Sequence, residues 1–542
     1  MKAIFTLGVC VFAGALVCNS LVAQDSPTIP SSLSNDIDAP SQQAQSLGDA
    51  ARKMRKDVTT EVKMTPEDTK KLFEAVDKIL AFASEDSGFP KHGTVKRQLV
   101  SREEVEKYTS DQFKKAQFLQ RLGRSELTMK KFGFLPRDFN LREFLVKANG
   151  SQIAGYYDPE TKSISLLNWV PPDRQEPILA HELTHALQDQ NYGLKTWMQG
   201  TSATAQSGDR KLTDPDDESA AARKAVVEGQ AMVVYVDYLL APYGRTLKNT
   251  PGLIYQMEDP AVKATIDSQM IHDAPTILRE AGTFPYKEGL IFEGEVLQEG
   301  DKQMAFAGVF ARPPRNSHEV LQPRAYLNHE ALSAVHIPNL RDILGTQYEV
   351  YDAGDIGELD VRALLKQYGT GKVADDLSSA WRGGAYTAFR KTAPTAGGDP
   401  TTADLALVYE SHWKSPESAA YFARFYANTV AKRYRTTASL QSGKSCAGKQ
   451  CPVSSVQVST EEGPVIIEQW ADNRVVVCES FDQTLADKLH DALRDNAGEV
   501  HAQNLAADEL GLRLYLIPAF QEFSEHIGAQ LIEDLQSRAS AF

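Results

Sequence analysis

The chain has 542 residues, 42% of them hydrophobic, with 58 basic and 72 acidic side chains for a net charge of −14. Such a length calls for two to four domains. The acidic balance argues against a nucleic-acid partner or an anionic membrane surface, either of which would require a basic face.

Lys2, an apolar run from Ala3 to Cys18, and Leu21-Val-Ala23 precede Gln24-Asp25. This is the order of a charged n-region, a short h-region and a small-residue cleavage site. Residues 1–23 are therefore expected to be a secretory signal peptide, with the mature protein exported to the periplasm or secreted. No later segment is apolar for 18 residues, so no stable membrane span is expected. An oxidising compartment permits a disulfide, most simply Cys446–Cys451, whereas Cys478 in Arg474-Val-Val-Val-Cys478 reads as a buried strand residue.

Residues 24–64 are rich in Ser, Gln, Asp and Pro without periodicity and read as a disordered leader. Thr65-Pro66 then opens a helix with Leu72, Phe73, Val76, Ile79, Leu80 and Ala83 on one face, and Ser101 to Met129 continues in helical pattern. Residues 65–345 are taken as this helical flank plus a catalytic domain. Ser151 to Val170 reads as two strands joined by the turn Asp158-Pro-Glu-Thr161.

The most informative segment follows: His181-Glu-Leu-Thr-His185. On a helix, His181 and His185 project from one face and can share a metal ion, while Glu182 beside them can act on a water. Pro177 suits a first turn, Asp173 and Glu176 suit its positive end, and Gly193 suits the stop. Ile178, Leu179, Leu183, Ala186 and Leu187 supply the buried side. A catalytic zinc site needs a third protein ligand and an open position. Glu218 to Leu240 reads as a long helix on which Glu228 shares an apolar stripe with Ala221, Ala225, Met232 and Tyr235. A carboxylate there is costly unless neutralised, which favours Glu228 as the ligand, with Glu218 as runner-up. Gly229 would allow another helix to approach closely. The polar stretch Thr201 to Asp217 reads as a loop between the two helices.

Downstream, Tyr286, His318 and Tyr326 are candidates to stabilise an oxyanion. Residues 346–390 look helical, with Trp381-Arg-Gly-Gly384 as a packed turn, and Thr392 to Pro400 reads as a linker. The connector is thus placed at 346–395. Residues 396–500 form a small α+β accessory module: strand Leu405–His412, a helix capped by Ser415, strands Val465–Trp470 and Val475–Ser480, then helix Leu485–Arg494. This order is shared with ferredoxin-like folds. The tail, 501–542, reads as an amphipathic helix.

HExxH followed by Glu228 on a second helix resembles the gluzincins, the thermolysin-like zinc metallopeptidases. More narrowly, Ile153-Ala-Gly-Tyr-Tyr-Asp-Pro-Glu-Thr161, Leu179 to Gln190 and Val227-Glu-Gly-Gln-Ala231 are similar to a group of uncharacterised bacterial metallopeptidase-like proteins. Their segments read AGFYDPxT, HELTHALQDQ and EGxA. The likeness extends through Phe284 to Gly289 and Pro313 to Pro323, covering residues 115–345. It implies an α+β zincin-like domain built from a hairpin edge strand, the HExxH helix and the Glu helix. It also implies His181, His185 and Glu228 as Zn²⁺ ligands, Glu182 as catalytic residue, and Tyr286 as the first of the oxyanion candidates. Gluzincins often carry an Asp where this chain has Met232, and Asp189 is a substitute partner for a ligand histidine.

The expected function is an exported zinc metallopeptidase acting on a peptide or protein substrate, with Glu182 as general base. Two alternatives stand beside it. One is a non-catalytic envelope protein with a structural or vestigial zinc site; the other is a zinc hydrolase acting on cell-wall peptides.

Overall fold

Thr65 begins the ordered architecture with a reciprocal cap. Its hydroxyl accepts from the Asp68 N–H at 3.1 Å, and the Asp68 carboxylate accepts from the Thr65 N–H at 3.1 Å. Pro66 then needs no helical donor, and helix α1 (Pro66–Ser87) runs to Gly88, whose φ of 74° ends it. Leu72, Val76, Ile79, Leu80 and Ala83 are buried as their spacing predicts. The computed structural model describes residues 64–101, 103–104, 116–148, 156–198, 217–253, 273–333, 335, 337–393, 399–435, 441–442 and 452–495. The signal peptide, all but the last residue of the leader, the Cys446–Cys451 pair, the interior of the 201–217 loop, Ile153-Ala-Gly155 and the 501–542 tail lie outside them.

The first sheet has three strands in the order β1 (Lys96–Val100), β3 (Ser163–Leu167), β2 (Tyr156–Asp158). β1 runs parallel to β3 and β2 antiparallel to it, so β2 is an edge. The expected turn joins β2 to β3. Asp158 accepts from the Glu160 N–H and the Thr161 hydroxyl, each at 2.8 Å, and Lys162 takes a positive φ of 55°. Helices α2 (Ala116–Phe132) and α3 (Leu141–Ala148) precede this hairpin.

Helix α4 (Pro172–Tyr192) carries the HExxH residues. It begins earlier than expected: Pro172 is its first residue, and Pro177 lies in the second turn rather than the first. The start is fixed instead by Gln175, whose side chain binds the Leu167 N–H and carbonyl at 2.9 Å each and the Val170 carbonyl at 2.6 Å. These bonds tie the helix to the end of β3. Gly193, with φ 64°, ends α4 as expected. α1 packs along α4, as does α5 (Asp217–Leu240), which in turn packs on α6 (Thr276–Glu299). At the α5–α6 crossing a Cβ on Gly229 would lie 2.4 Å from the Gly289 backbone, and one on Gly289 would lie 2.3 Å from the Ala225 carbonyl. Only two glycines permit this approach.

The second sheet corrects the reading of residues 346–390. These form β4 (Tyr348–Asp355), helices α7 (Glu358–Tyr368) and α8 (Gly371–Ser378), and β5 (Trp381–Lys391). Trp381-Arg-Gly-Gly384 is the start of an interior strand, not a turn. Its glycines answer to crowding: a Cβ on Gly383 would meet the Ser333 carbonyl at 2.4 Å, and one on Gly384 the Ile356 carbonyl at 2.7 Å. Then come β6 (Leu405–Trp413), α9 (Pro416–Arg433), β7 (Gln441–Ser442), β8 (Ser454–Thr460), β9 (Gly463–Gln469), β10 (Arg474–Glu479) and α10 (Gln483–Asp495). The strand order is β4-β5-β6-β10-β9-β8-β7, with antiparallel pairing. The expected strands and helices are present as β6, α9, β9, β10 and α10, with β10 between β6 and β9 in the sheet, but β7 and β8 intervene in the chain between α9 and β9, so the run is longer than the strand–helix–strand–strand–helix order expected. Ser415 caps α9, and Cys478 is buried in β10.

The 392–400 stretch does not separate two bodies, because it joins the paired neighbours β5 and β6. One cluster of buried apolar residues extends from Leu72 to Val477 and takes in strands of both sheets, while a second, including Phe389, Val476 and Leu489, belongs to the second sheet. Lys131, fully buried on α2, pins the first half to the second through the Thr402 carbonyl at 3.1 Å, Glu462 at 2.9 Å and the Ser480 hydroxyl at 2.7 Å. The fold is mixed α+β. Among the described residues no helix is long and apolar enough to cross a membrane.

Candidate metal centre

Successive turns of α4 bring His181 and His185 together with their rings perpendicular and their centroids 4.7 Å apart. The two Nε2 atoms lie 3.1 Å from each other. Glu228, from the facing turn of α5, places Oε2 3.1 Å from His181 Nε2 and 3.4 Å from His185 Nε2. These are the three residues whose donor atoms gather within 4.8 Å among the described residues. Two imidazole nitrogens and a carboxylate oxygen suit a borderline cation such as Zn²⁺. Bonds of about 2.0–2.1 Å in tetrahedral geometry would set donors roughly 3.3 Å apart, which the observed spacings match. His181 and Glu228 are each only 3% exposed.

The electrostatics follow from that burial. Desolvation holds the His181 pKa below its ordinary value. Burial pulls His185 the same way, but the neighbouring Glu228 charge outweighs it and raises that imidazole to about 9. For Glu228, burial acts upward, yet the Lys224 ammonium and His185 together keep the carboxyl well below its usual range. Lys224 Nζ is 2.7 Å from Glu228 Oε1.

A ring of amides supports the cluster. His185 Nδ1–H donates to Gln188 Oε1 at 2.8 Å, so that in the neutral ring, the form a metal would bind, the Nε2 lone pair faces the site. Gln188 Nε2 donates to the Val227 carbonyl at 3.0 Å and to Gln230 Oε1 at 3.1 Å. Gln230 Nε2 reaches the Ala305 and Phe306 carbonyls, at 2.9 and 3.1 Å, within the π-helical turn Met304–Gly308. The partner of His185 is thus Gln188, not Asp189. Asp189 instead accepts from the Tyr157 hydroxyl and the Leu194 N–H, each at 3.0 Å, and braces the helix end against the hairpin. Sequence reading passed over both glutamines. Their one signal is position, three residues beyond His185 and two beyond Glu228. Met232 is buried in the core.

Glu182 faces the hairpin. Its Oε2 accepts from the Tyr157 main-chain N–H at 2.8 Å, so the outer edge of β2 meets the carboxylate next to the metal cluster. Of the three downstream candidates, only Tyr286 is near. Its ring stacks on His181 with centroids 6.3 Å apart and a 25° interplanar angle. His318 is buried with its Nδ1 2.5 Å from Glu358. Tyr326 donates to the Arg312 carbonyl at 2.7 Å beneath the Arg312 guanidinium. Both belong to the packing. Glu218, the runner-up ligand, is committed elsewhere: its Oε2 accepts from the Ser317 N–H at 2.9 Å and hydroxyl at 2.7 Å.

Residues 347–490 match the family model of a domain of unknown function (DUF8575). The match covers the second sheet and its helices and excludes His181, His185 and Glu228. No curated protein and no solved structure matches the chain.

Proposed function

We propose that this protein is an exported zinc metallopeptidase of gluzincin type, with a zincin-like catalytic region and the second sheet as an accessory module. The observation that carries the reading is the convergence of His181, His185 and Glu228 beside a carboxylate that is hydrogen-bonded to the edge strand β2. Bound Zn²⁺ would acidify a water and polarise the scissile carbonyl. Glu182 would take the proton from the attacking water and deliver it to the leaving amine. An extended peptide lying along β2 would leave the Tyr157 N–H to Glu182 and pair with the remaining outward main-chain groups, a mode that tolerates many side chains. Tyr286, stacked on His181, is the side chain we assign to hydrogen-bond the developing oxyanion.

Zinc content of the purified full chain, and hydrolysis of a casein or peptide library by wild type and Glu182→Gln, test this reading. Stoichiometric zinc in both with activity lost in the variant supports it; unchanged activity rejects the role of Glu182. A second reading, a vestigial site in a non-catalytic envelope protein, is favoured by one observation. Lys224 already neutralises Glu228 from within the same helix. Absence of metal uptake with a folded, inactive chain would select that alternative, and hydrolysis confined to cell-wall peptides would select the third.

A further inference from the structure

The two oxygens of Glu228 are engaged by groups of different kind. Oε2 faces the two imidazole nitrogens, at 3.1 and 3.4 Å, while Oε1 lies 2.7 Å from Lys224 Nζ. Lys224 sits one turn earlier on α5, and its side chain is only 16% exposed. An ordinary i, i+4 helix pair sits in solvent and contributes little. This one is enclosed, and at this distance it is a strong charge-assisted bond.

Resting on the zinc reading above, we propose that Lys224 is a positioning residue: by holding Oε1 it makes Glu228 a one-oxygen ligand and so keeps a coordination position free for solvent. A carboxylate can offer a metal one oxygen or two. With His181 and His185 in place, a chelating Glu228 would supply four protein donors, the closed arrangement of structural zinc sites. The ammonium also draws charge from the carboxylate and weakens it as a donor. Lys224 therefore trades metal affinity for an accessible metal.

The test uses the full chain loaded with Co²⁺ in place of Zn²⁺ and compares wild type with Lys224→Met and Lys224→Arg. Azide, a small anion that binds a metal only where solvent can be displaced, reports the open position through the cobalt spectrum. Wild type is expected to change its visible spectrum on azide addition, and Lys224→Met to show no change while binding the metal at least as tightly as wild type. Lys224→Arg, which keeps the charge, is expected to restore the azide response. A wild-type azide response in Lys224→Met overturns the proposal. So does an affinity loss of roughly 10–100-fold, the cost of removing an ordinary supporting partner. Should Lys224→Met fail to fold, Lys224→Gln decides by the same readings. If wild type takes up neither metal, the zinc reading falls and this inference with it. Metal uptake and hydrolysis by wild type with spectra indifferent to residue 224 would sink this inference alone.

Discussion

The Tyr157 main-chain N–H donates to the Glu182 carboxylate at 2.8 Å, joining the outer edge of β2 to the HExxH helix beside the His181–His185–Glu228 cluster. The bond uses a donor that a neighbouring strand would otherwise take. It holds Glu182 in orientation through a main-chain group, which a substitution at position 157 would leave in place.

Glu182→Gln keeps the acceptor oxygen for Tyr157 and leaves the metal donors untouched. Hydrolysis should fall by about 10²–10⁴-fold, the usual contribution of a general base. Zinc content and melting temperature should stay at wild-type values. Kinetics and metal analysis on the same preparation check both.

Gly289→Ala should be among the most damaging small substitutions in the chain, because the new Cβ would lie 2.3 Å from the Ala225 carbonyl, one turn before Glu228. Forcing α5 and α6 apart should cost about 1–3 kcal/mol and weaken zinc binding by shifting Glu228. Gly123→Ala on α2 has no atom within 4 Å of the added carbon and should instead stabilise by roughly 0.5–1 kcal/mol. Urea unfolding of the two variants gives the contrast.

Gln188→Leu removes the acceptor of His185 Nδ1–H and both bonds from the amide to α5. Zinc affinity should drop roughly 10–100-fold, as for other partners of ligand histidines. Competition with a chromogenic chelator measures this. Asp189→Asn, by contrast, should leave affinity unchanged, because Asp189 braces Tyr157 and Leu194 rather than a ligand.

Asp237 gives a pH-dependent prediction. Burial, reinforced by the charge of Asp86, raises its carboxyl from 3.8 to about 7. The folded state therefore holds this proton more tightly than the unfolded chain. The group's stabilisation is complete below about pH 4 and is lost as pH rises through about 7. Asp237→Asn keeps an acceptor for the Leu247 N–H, which lies 2.6 Å from Oδ1. The variant should match wild type near pH 4 and melt above it near pH 8. Thermal melts across that range decide the matter, and parallel curves would refute it.

Much of the site was legible because helical periodicity places residues four apart on one face whatever surrounds them. His181 and His185 follow from that rule, and so do the buried stripe of α1 and the cap at Ser415. Glu228 was legible for an energetic reason, since a carboxylate on an apolar stripe requires a partner. The strands at Tyr348–Asp355 and Trp381–Lys391 were not legible. The glycines and the short helices nearby carry turn and helix signals, and only the crowding from Ser333 and Ile356 explains Gly383 and Gly384 in an interior strand.

Local pattern thus determined which elements carry the donor side chains and which residue types are available to a metal. Tertiary packing decided which of them meet. Glu218 and Glu228 lie on one helix and both are buried, yet one caps Ser317 while the other faces the histidines. Their separation along α5 turns them toward different neighbours, and those neighbours come from segments about 100 and 45 residues distant in the chain. No periodicity within a single helix encodes what lies across from it. That is set by where the Gly229–Gly289 contact lets α5 and α6 close.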